Sequence, residues 1–246
     1  VALGEATKTI PYITDATKAY EFTVNFGAAT NTDDAEGEVT KTSDLRPDDA
    51  QIVESLQGFL GEIMQVPPQF SAVKIDGQRA YKLARAGEEM QIAARPLWVE
   101  ELLLSDRPSA DQAVLEMTCG KGGYVRSIAR DLGEVLGCYG HVAQLRRLWS
   151  GPFDLEHAVS LEQIEPFAKT AEIDQFLRPL EEGLTDLLQG TTNAEGAAKL
   201  RNGNPAICFT TAEYGDEIWV SYEGKAQAIG RYKSGEIHPT RVILQD

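Results

Sequence analysis

Residues 112–136 read QAVLEMTCGKGGYVRSIARDLGEVL, and the spacing of apolar residues changes in the middle of that stretch. Before Gly120, the residues Ala113, Leu115, Met117 and Cys119 alternate with Val114, Glu116 and Thr118, the period-two pattern of a half-buried strand. After Gly123, Val125, Ile128, Leu132, Val135 and Leu136 form a helical stripe, and Gly137 can end the helix. A strand, a glycine-rich loop and a helix in succession set the fold class as α/β (α+β). The loop Gly120–Gly123 brings backbone N–H groups to a helix start, where an anion could sit beside Lys121 and Arg126. Neither GxxxxGK[ST] nor GxGxxG is present, so a tight turn using glycine for positive φ explains the loop equally well.

Upstream, Tyr20, Phe22, Val24 and Phe26 alternate along a strand over 20–26. Ile52, Leu56, Phe59, Leu60 and Ile63 predict an amphipathic helix over 48–63, with Asp48 or Asp49 as its cap. Residues 65–96 break the pattern with Pro67, Pro68, Gly77 and Gly87, which argues for an extended or hairpin excursion. A strand over 97–104 precedes the one at 112–119. Downstream, Ser160 and Gln163 have the spacing of a capping box, and acidic helical sequence continues toward Leu188. From 191 onward, short alternating runs near 217–222, 226–232 and 240–244 predict a small β-barrel or sandwich.

With 246 residues, 42% of them hydrophobic, the chain can bury one large core or a medium core with a small second domain. Cys119, Cys138 and Cys208 form no CxxC pair, which disfavours a disulfide scaffold or structural zinc and points to a reducing cytoplasm. No run approaches the roughly 20 apolar residues of a membrane span. His141, His157 and His238 lack ligand spacing among themselves or with the cysteines, so no metal site is expected.

The net charge of −15 argues against nucleic acid only as an average. Residues 31–64 and 154–186 each hold nine acids against two bases, whereas 65–153 holds eleven bases against ten acids. The bases therefore cluster locally. In the excursion, Lys74, Arg79, Lys82 and Arg85 interleave with Phe70 and Tyr81, a pattern that suits RNA backbone tracking with base stacking, or an ordinary basic hairpin. Arg126, Arg130 and Glu134 lie four apart and can form a charge ladder along one helix face. Arg146 and Arg147 point in different directions, so one can be held inward, where it needs an anionic partner: a structural carboxylate or a substrate phosphate.

Taken in order, these segments resemble one family. Leu3-Gly4-Glu5-Ala6-Thr7-Lys8, Tyr20, and Thr32-Asp33-Asp34-Ala35-Glu36-Gly37 are similar to successive motifs of TruB-type tRNA pseudouridine synthases. Gln65 through Gly77, with Tyr81, Ala84 and Arg85, resembles the family's RNA-gripping thumb. Lys121 to Ser127, Asp131-Leu132-Gly133, His141 and Leu145-Arg146-Arg147 match its core motifs in order and spacing, and Leu200 to Pro205 with the strands after it looks like a PUA-type barrel.

The resemblance implies a mixed, largely antiparallel catalytic domain over 1–188 with the thumb at about 65–96, and a PUA-like RNA-binding domain over 189–246. It implies isomerisation of the uridine at position 55 in the TΨC loop of tRNA by base flipping, without cofactor or metal. Tyr20 would stack on the flipped base and Arg146 would hold the nucleophilic Asp ionised. Tyr124 and Leu161 would line the substrate pocket, and Lys74, Arg79, Tyr81, Arg85, Lys121 and Arg126 would contact RNA in a cleft between the thumb and the 120s loop. The partner is the T-arm of tRNA, with a monomeric, cytoplasmic protein and no protein partner or membrane implied.

In the family that Asp lies in a Gly-x-Leu-Asp-Pro segment just before the Leu-Gly-x-Ala-Thr-Lys motif. No Leu-Asp-Pro occurs in these 246 residues, and neither Asp33, Asp34 nor Asp131 takes its place. The expectation is therefore a segment upstream, with a binding-only tRNA module as the alternative for the sequence as it stands.

Overall fold

The structure, a computed structural model, describes residues 1–75, 77–85 and 90–245, with Ile75 and Arg85 described by their backbone alone. It divides into two compact units, Thr17–Ser150 and Val1–Ala16 with Gly151–Asp246.

In the unit 17–150, the alternating residues of 20–26 form β1 (Lys18–Phe26). Asp48 accepts a bond from the Gln51 N–H while the Gln51 side chain accepts from the Asp48 N–H, and this reciprocal cap opens α1 (Asp49–Leu56). The helix expected over 48–63 stops at Leu56. A 3-10 turn, Gln57–Phe59, follows, and Gly61 at φ +78° starts β2 (Gly61–Gln65), where Ile63 lies opposite Leu97. Sheet pairing has overridden the helical spacing of Leu60 and Ile63.

The strand expected over 97–104 runs longer, as β3 (Arg95–Ser109), followed by β4 (Gln112–Cys119) and α2 (Val125–Val135). Residues 140–150, which carry no clean alternation, form β5 (Gly140–Ser150) because β1 offers them an edge. These strands pair antiparallel in the order β5-β1-β4-β3-β2.

Helices α1 and α2 cover one face of that sheet. Phe22, Val24, Leu115, Met117, Leu97 and Val99 pack there with Ile52, Leu56, Ile128 and Leu132, all 2% exposed or less. Each such fully buried side chain contributes roughly 1.5–3 kcal/mol relative to exposure. The other face carries Glu21, Glu116, Gln144 and Arg146, all exposed.

In the second unit, the acidic stretch expected to continue as helix toward Leu188 breaks into a single α-turn, Leu161–Ile164, and 3-10 turns at Glu165–Phe167, Ala171–Phe176 and Leu180–Leu184. Pro166 and Pro179 interrupt the helical hydrogen bonding. Beyond them come β6 (Leu188–Thr191), α3 (Ala194–Arg201), β7 (Ala206–Ile207), β8 (Glu217–Tyr222), β9 (Lys225–Lys233) and β10 (Glu236–Val242). The order is β6-β8-β9-β10-β7, parallel only between β6 and β8. Thr191 and Phe209 exchange both backbone bonds at 2.9 Å, so the hydrogen bonding returns from the segment after β7 to the first strand.

The sequence reading divides the chain at 188/189, whereas the compact units join residues 1–16 to 151–246. Tyr12 Oη donates to Glu217 Oε1, Lys8 Nζ to the Val242 carbonyl and the Leu244 N–H to Glu5 Oε2. These links span more than 200 residues of sequence, beyond the reach of any local pattern.

Candidate active site

β1 and β5 carry the central pair of candidate residues. Tyr20 sits at a β-bulge opposite Arg147, whose guanidinium carbon lies 5.6 Å from the ring centroid. The ring is half-buried against the core, and burial raises its phenol above the ordinary value.

Arg146 lies opposite Glu21, one register position along. Successive strand residues alternate between faces, so Arg147 shares Tyr20's side and Arg146 faces the other. There Glu21, Thr23, Gln144 and Arg146, with Phe22 and Leu145, line a shallow depression of about 290 Å³. The inward arginine expected from the doublet is not seen. Arg146 is exposed, and among the described residues it has no ion-pair partner.

The start of α2 is held by the root of the excursion. Gln65, 3% exposed, accepts from the Tyr124 N–H at 2.9 Å and donates to the Tyr124 carbonyl at 3.1 Å, which fixes Tyr124 at the helix N-cap. Ser127 Oγ donates to the Val66 carbonyl. Arg126 donates from Nη1 to the Thr32 carbonyl and to Asp34 Oδ2 at 3.0 Å, and from Nη2 to the Phe70 carbonyl.

Arg130, one turn on, donates to Asp33 Oδ2 at 3.0 Å, to the Val66 carbonyl at 2.9 Å and to Asp131 Oδ1. The ladder expected on one helix face is therefore replaced by two arginines reaching to the 32–34 turn and the 66–70 segment. Residues 65–70 and 124–130 form one hydrogen-bonded frame at the root of the excursion. Asp33 itself takes φ +61° and is 9% exposed, and burial raises its carboxyl above the usual range against the pull of Arg130.

Lys74 and Arg79 are exposed and face one another across a two-residue strand pair, while Tyr81 is half-buried on the short helix Ala80–Arg85. The side chain of Arg85 lies outside the described residues. Lys121 is exposed in the loop before α2. A side chain at Gly123 would meet Cys119 Sγ at 2.8 Å, so close packing accounts for that glycine and no phosphate site is needed. Leu161 belongs to the other unit and is 84% exposed. Sequence reasoning missed Asp33, Gln65 and Arg130 as framing residues. The signal available was Arg130 four residues after Arg126, with two adjacent acids upstream to receive the pair.

Residues 1–125 match the N-terminal domain of TruB family pseudouridylate synthases, and residues 126–185 match the tRNA pseudouridylate synthase B C-terminal domain. The chain is 69% identical over 246 residues to a tRNA pseudouridine synthase B of Ruegeria pomeroyi, covering 100% of this chain and 81% of that protein. It is 63% identical over 244 residues to one of Roseobacter denitrificans, covering 99% and 80%. Among solved structures, a chain from an H/ACA ribonucleoprotein bound to a substrate RNA containing 2′-deoxyuridine superposes with a TM-score of 0.71 at 16% identity, covering 99% of this chain and 71% of that one. A chain of a Cbf5–Nop10–Gar1 complex does so with a TM-score of 0.71 at 19% identity, covering 98% and 71%. At such identities the structural likeness speaks to the fold.

Proposed function

The chain belongs to the TruB family of pseudouridylate synthases, and from that membership we infer that it is a tRNA pseudouridine synthase, an isomerase. The observation that carries this is the 69% identity across the whole chain to a protein of that name. A binding-only role is not favoured by those relatives. In the reaction the bond from uracil N1 to ribose C1′ breaks, a bond from C5 to C1′ forms, the C5 hydrogen leaves as a proton, and N1 takes up a proton from water. Bonds and electrons balance within the nucleotide and water.

The finer reading is that the target is the TΨC-loop uridine in the T-arm, flipped from its stack. Tyr20 would present a ring face to the base. The family resemblance would have Arg146 receive the nucleophile's carboxylate and hold it ionised, but Arg146 lies on the sheet face away from Tyr20, and the geometry does not bring the two together. Tyr124 would line the pocket. Lys74, Arg79, Tyr81, Arg85 and Lys121 would contact RNA, whereas Arg126, engaged with Asp34 and two carbonyls, would shape the site. The strands after residue 188 would act as a PUA-like RNA-binding barrel. We place the protein in the cytoplasm as a monomer; no helix among the described residues is long and apolar enough to cross a membrane.

The test is tritium release from a T-arm stem-loop labelled at uridine C5, with filter binding alongside. It is run on this chain and on the same chain preceded by a Gly-x-Leu-Asp-Pro segment of the kind the family resemblance implies. Binding by both and release by the joined chain is the expected result. Failure of both chains to bind or turn over the RNA would overturn the reading.

A further inference from the structure

We propose that Glu5 and Lys8 are positioning residues of the synthase, a side-chain clasp by which the C-terminal strands fix the stretch of chain that leads into β1. This rests on the synthase reading above. Every contact involved lies within the unit formed by residues 1–16 and 151–246.

The end of β10 has two edges to satisfy. One is taken by β9, where Ala228 lies opposite Val242 and the Ile243 N–H donates to the Gln227 carbonyl at 2.9 Å. The Val242 carbonyl and the Leu244 N–H point to the opposite edge, as alternate backbone groups of a strand do. Among the described residues, β7 covers that edge only at Glu236 and Ile237. At its far end Lys8 Nζ donates to the Val242 carbonyl at 2.8 Å, and Glu5 Oε2 accepts from the Leu244 N–H at 2.7 Å. Lys8 also donates to Glu5 at 2.7 Å, so one ion pair presents a donor and an acceptor to the edge as a neighbouring strand would.

Local structure explains the spacing. Gly4–Thr9 is a 3-10 turn, in which positions three apart lie on one side, so residues 5 and 8 reach the same edge. The rest of the segment is held along its length. Tyr12 packs on the buried cluster of Leu184, Trp219, Ile229 and Ile243 and donates to Glu217 Oε1. Ile13 and Thr9 close on Gly183, where a Cβ would lie 2.8 Å and 2.9 Å from their side chains. Lys8 and then the Leu244 N–H hold the Glu5 carboxyl below the usual carboxylate range, which fits an acceptor engaged by both. Ala16 ends this segment, and Tyr20 is the third residue of β1. Glu5 and Lys8 of the Leu3–Lys8 motif thus engage the C-terminal strand, and loosening them misplaces the chain before Tyr20 rather than removing a group that grips RNA.

Hydrogen exchange on this chain reads the clasp without any chemistry. In Glu5→Ala the Leu244 amide is expected to exchange about tenfold faster or more, while the Ile243 amide, bonded to Gln227 on the other edge, keeps its protection. On the chain preceded by the Gly-x-Leu-Asp-Pro segment, Glu5→Ala and Lys8→Met are expected to lower single-turnover release about tenfold, with half-saturating T-arm RNA within about threefold. Glu5→Gln keeps an acceptor for both donors and is expected to recover most of the rate. Release unchanged in Glu5→Ala and Lys8→Met, a loss of RNA affinity as large as the loss of rate, or unchanged exchange at Leu244 would overturn the proposal alone. RNA that the unmutated, preceded chain neither binds nor turns over would overturn the synthase reading, and the positioning role with it, whatever exchange at Leu244 shows.

Discussion

Arg146 and Arg147 show how one register position separates two roles. Arg147 spends its cation on the Tyr20 ring, an interaction worth about 0.5–2 kcal/mol, while Arg146 projects from the other face into solvent. Arg146→Ala decides between the family resemblance, under which tritium release from the joined chain is abolished while filter binding of the T-arm stays nearly unchanged, and the sheet geometry, under which turnover is retained. Turnover retained by that variant would remove Arg146 from the mechanism. Tyr20→Phe keeps a stacking face and is expected to keep most of the single-turnover rate that Tyr20→Leu loses; equal losses would argue that the hydroxyl matters instead.

Cys119 gives a pH test. Burial pushes its thiol up to about 11 from an ordinary 9.0, so the folded state holds the proton more tightly than the unfolded chain. The resulting stability is complete below pH 9 and is lost as pH rises toward 11, by about 2–3 kcal/mol. Thermal unfolding of Cys119→Ala is expected to decline less steeply than the unmutated chain across that window.

Among the elements, α2 is the one on which the others are built. Its apolar stripe was legible in the sequence because burial on one face imposes the helical period. Its seat on β5 was not, because that depends on a close approach of two backbones. A Cβ at Gly133 would lie 2.2 Å from the Gly140 nitrogen, which no side-chain rotamer relieves. Gly133→Ala is expected to destabilise the unit 17–150 by about 3 kcal/mol or more, read as a lowered denaturation midpoint. The reciprocal cap of α1 is a smaller matter: Asp48→Ala should cost about 1 kcal/mol, measured the same way. β5 escaped the sequence reading for a physical reason. A bulge lies where it passes Thr23 and Val24, and Gln144, Leu145, Arg146 and Arg147 are all exposed, so the alternation that marks a half-buried strand is missing.

On the scale of the whole molecule, the proposed RNA contact of a chain of net charge −15 rests on its local basic clusters. Its affinity for the T-arm stem-loop is expected to fall steeply as salt rises, since each phosphate contact releases counterions and the acidic remainder repels the strand. Filter binding across a salt series checks this, and a flat response would contradict the clustered-base interface. All three cysteines are buried, so a thiol reagent at neutral pH is expected to label none of them in the folded protein and all three in denaturant.

The sequence by itself determined the family, the α+β class, the core residues of β1, β4 and α2, and the residues that carry the resemblance. Burial period, turn chemistry and ordered motifs are local properties written along the chain. Only the tertiary structure decided that residues 1–16 join the C-terminal strands, that Ile63 leaves a helix for a sheet, and that Arg126 and Arg130 reach across to Asp34 and Asp33. Those outcomes depend on which distant segments meet. The partner that satisfies a buried charge or a sheet edge is chosen by packing in three dimensions, and no spacing within one segment encodes it.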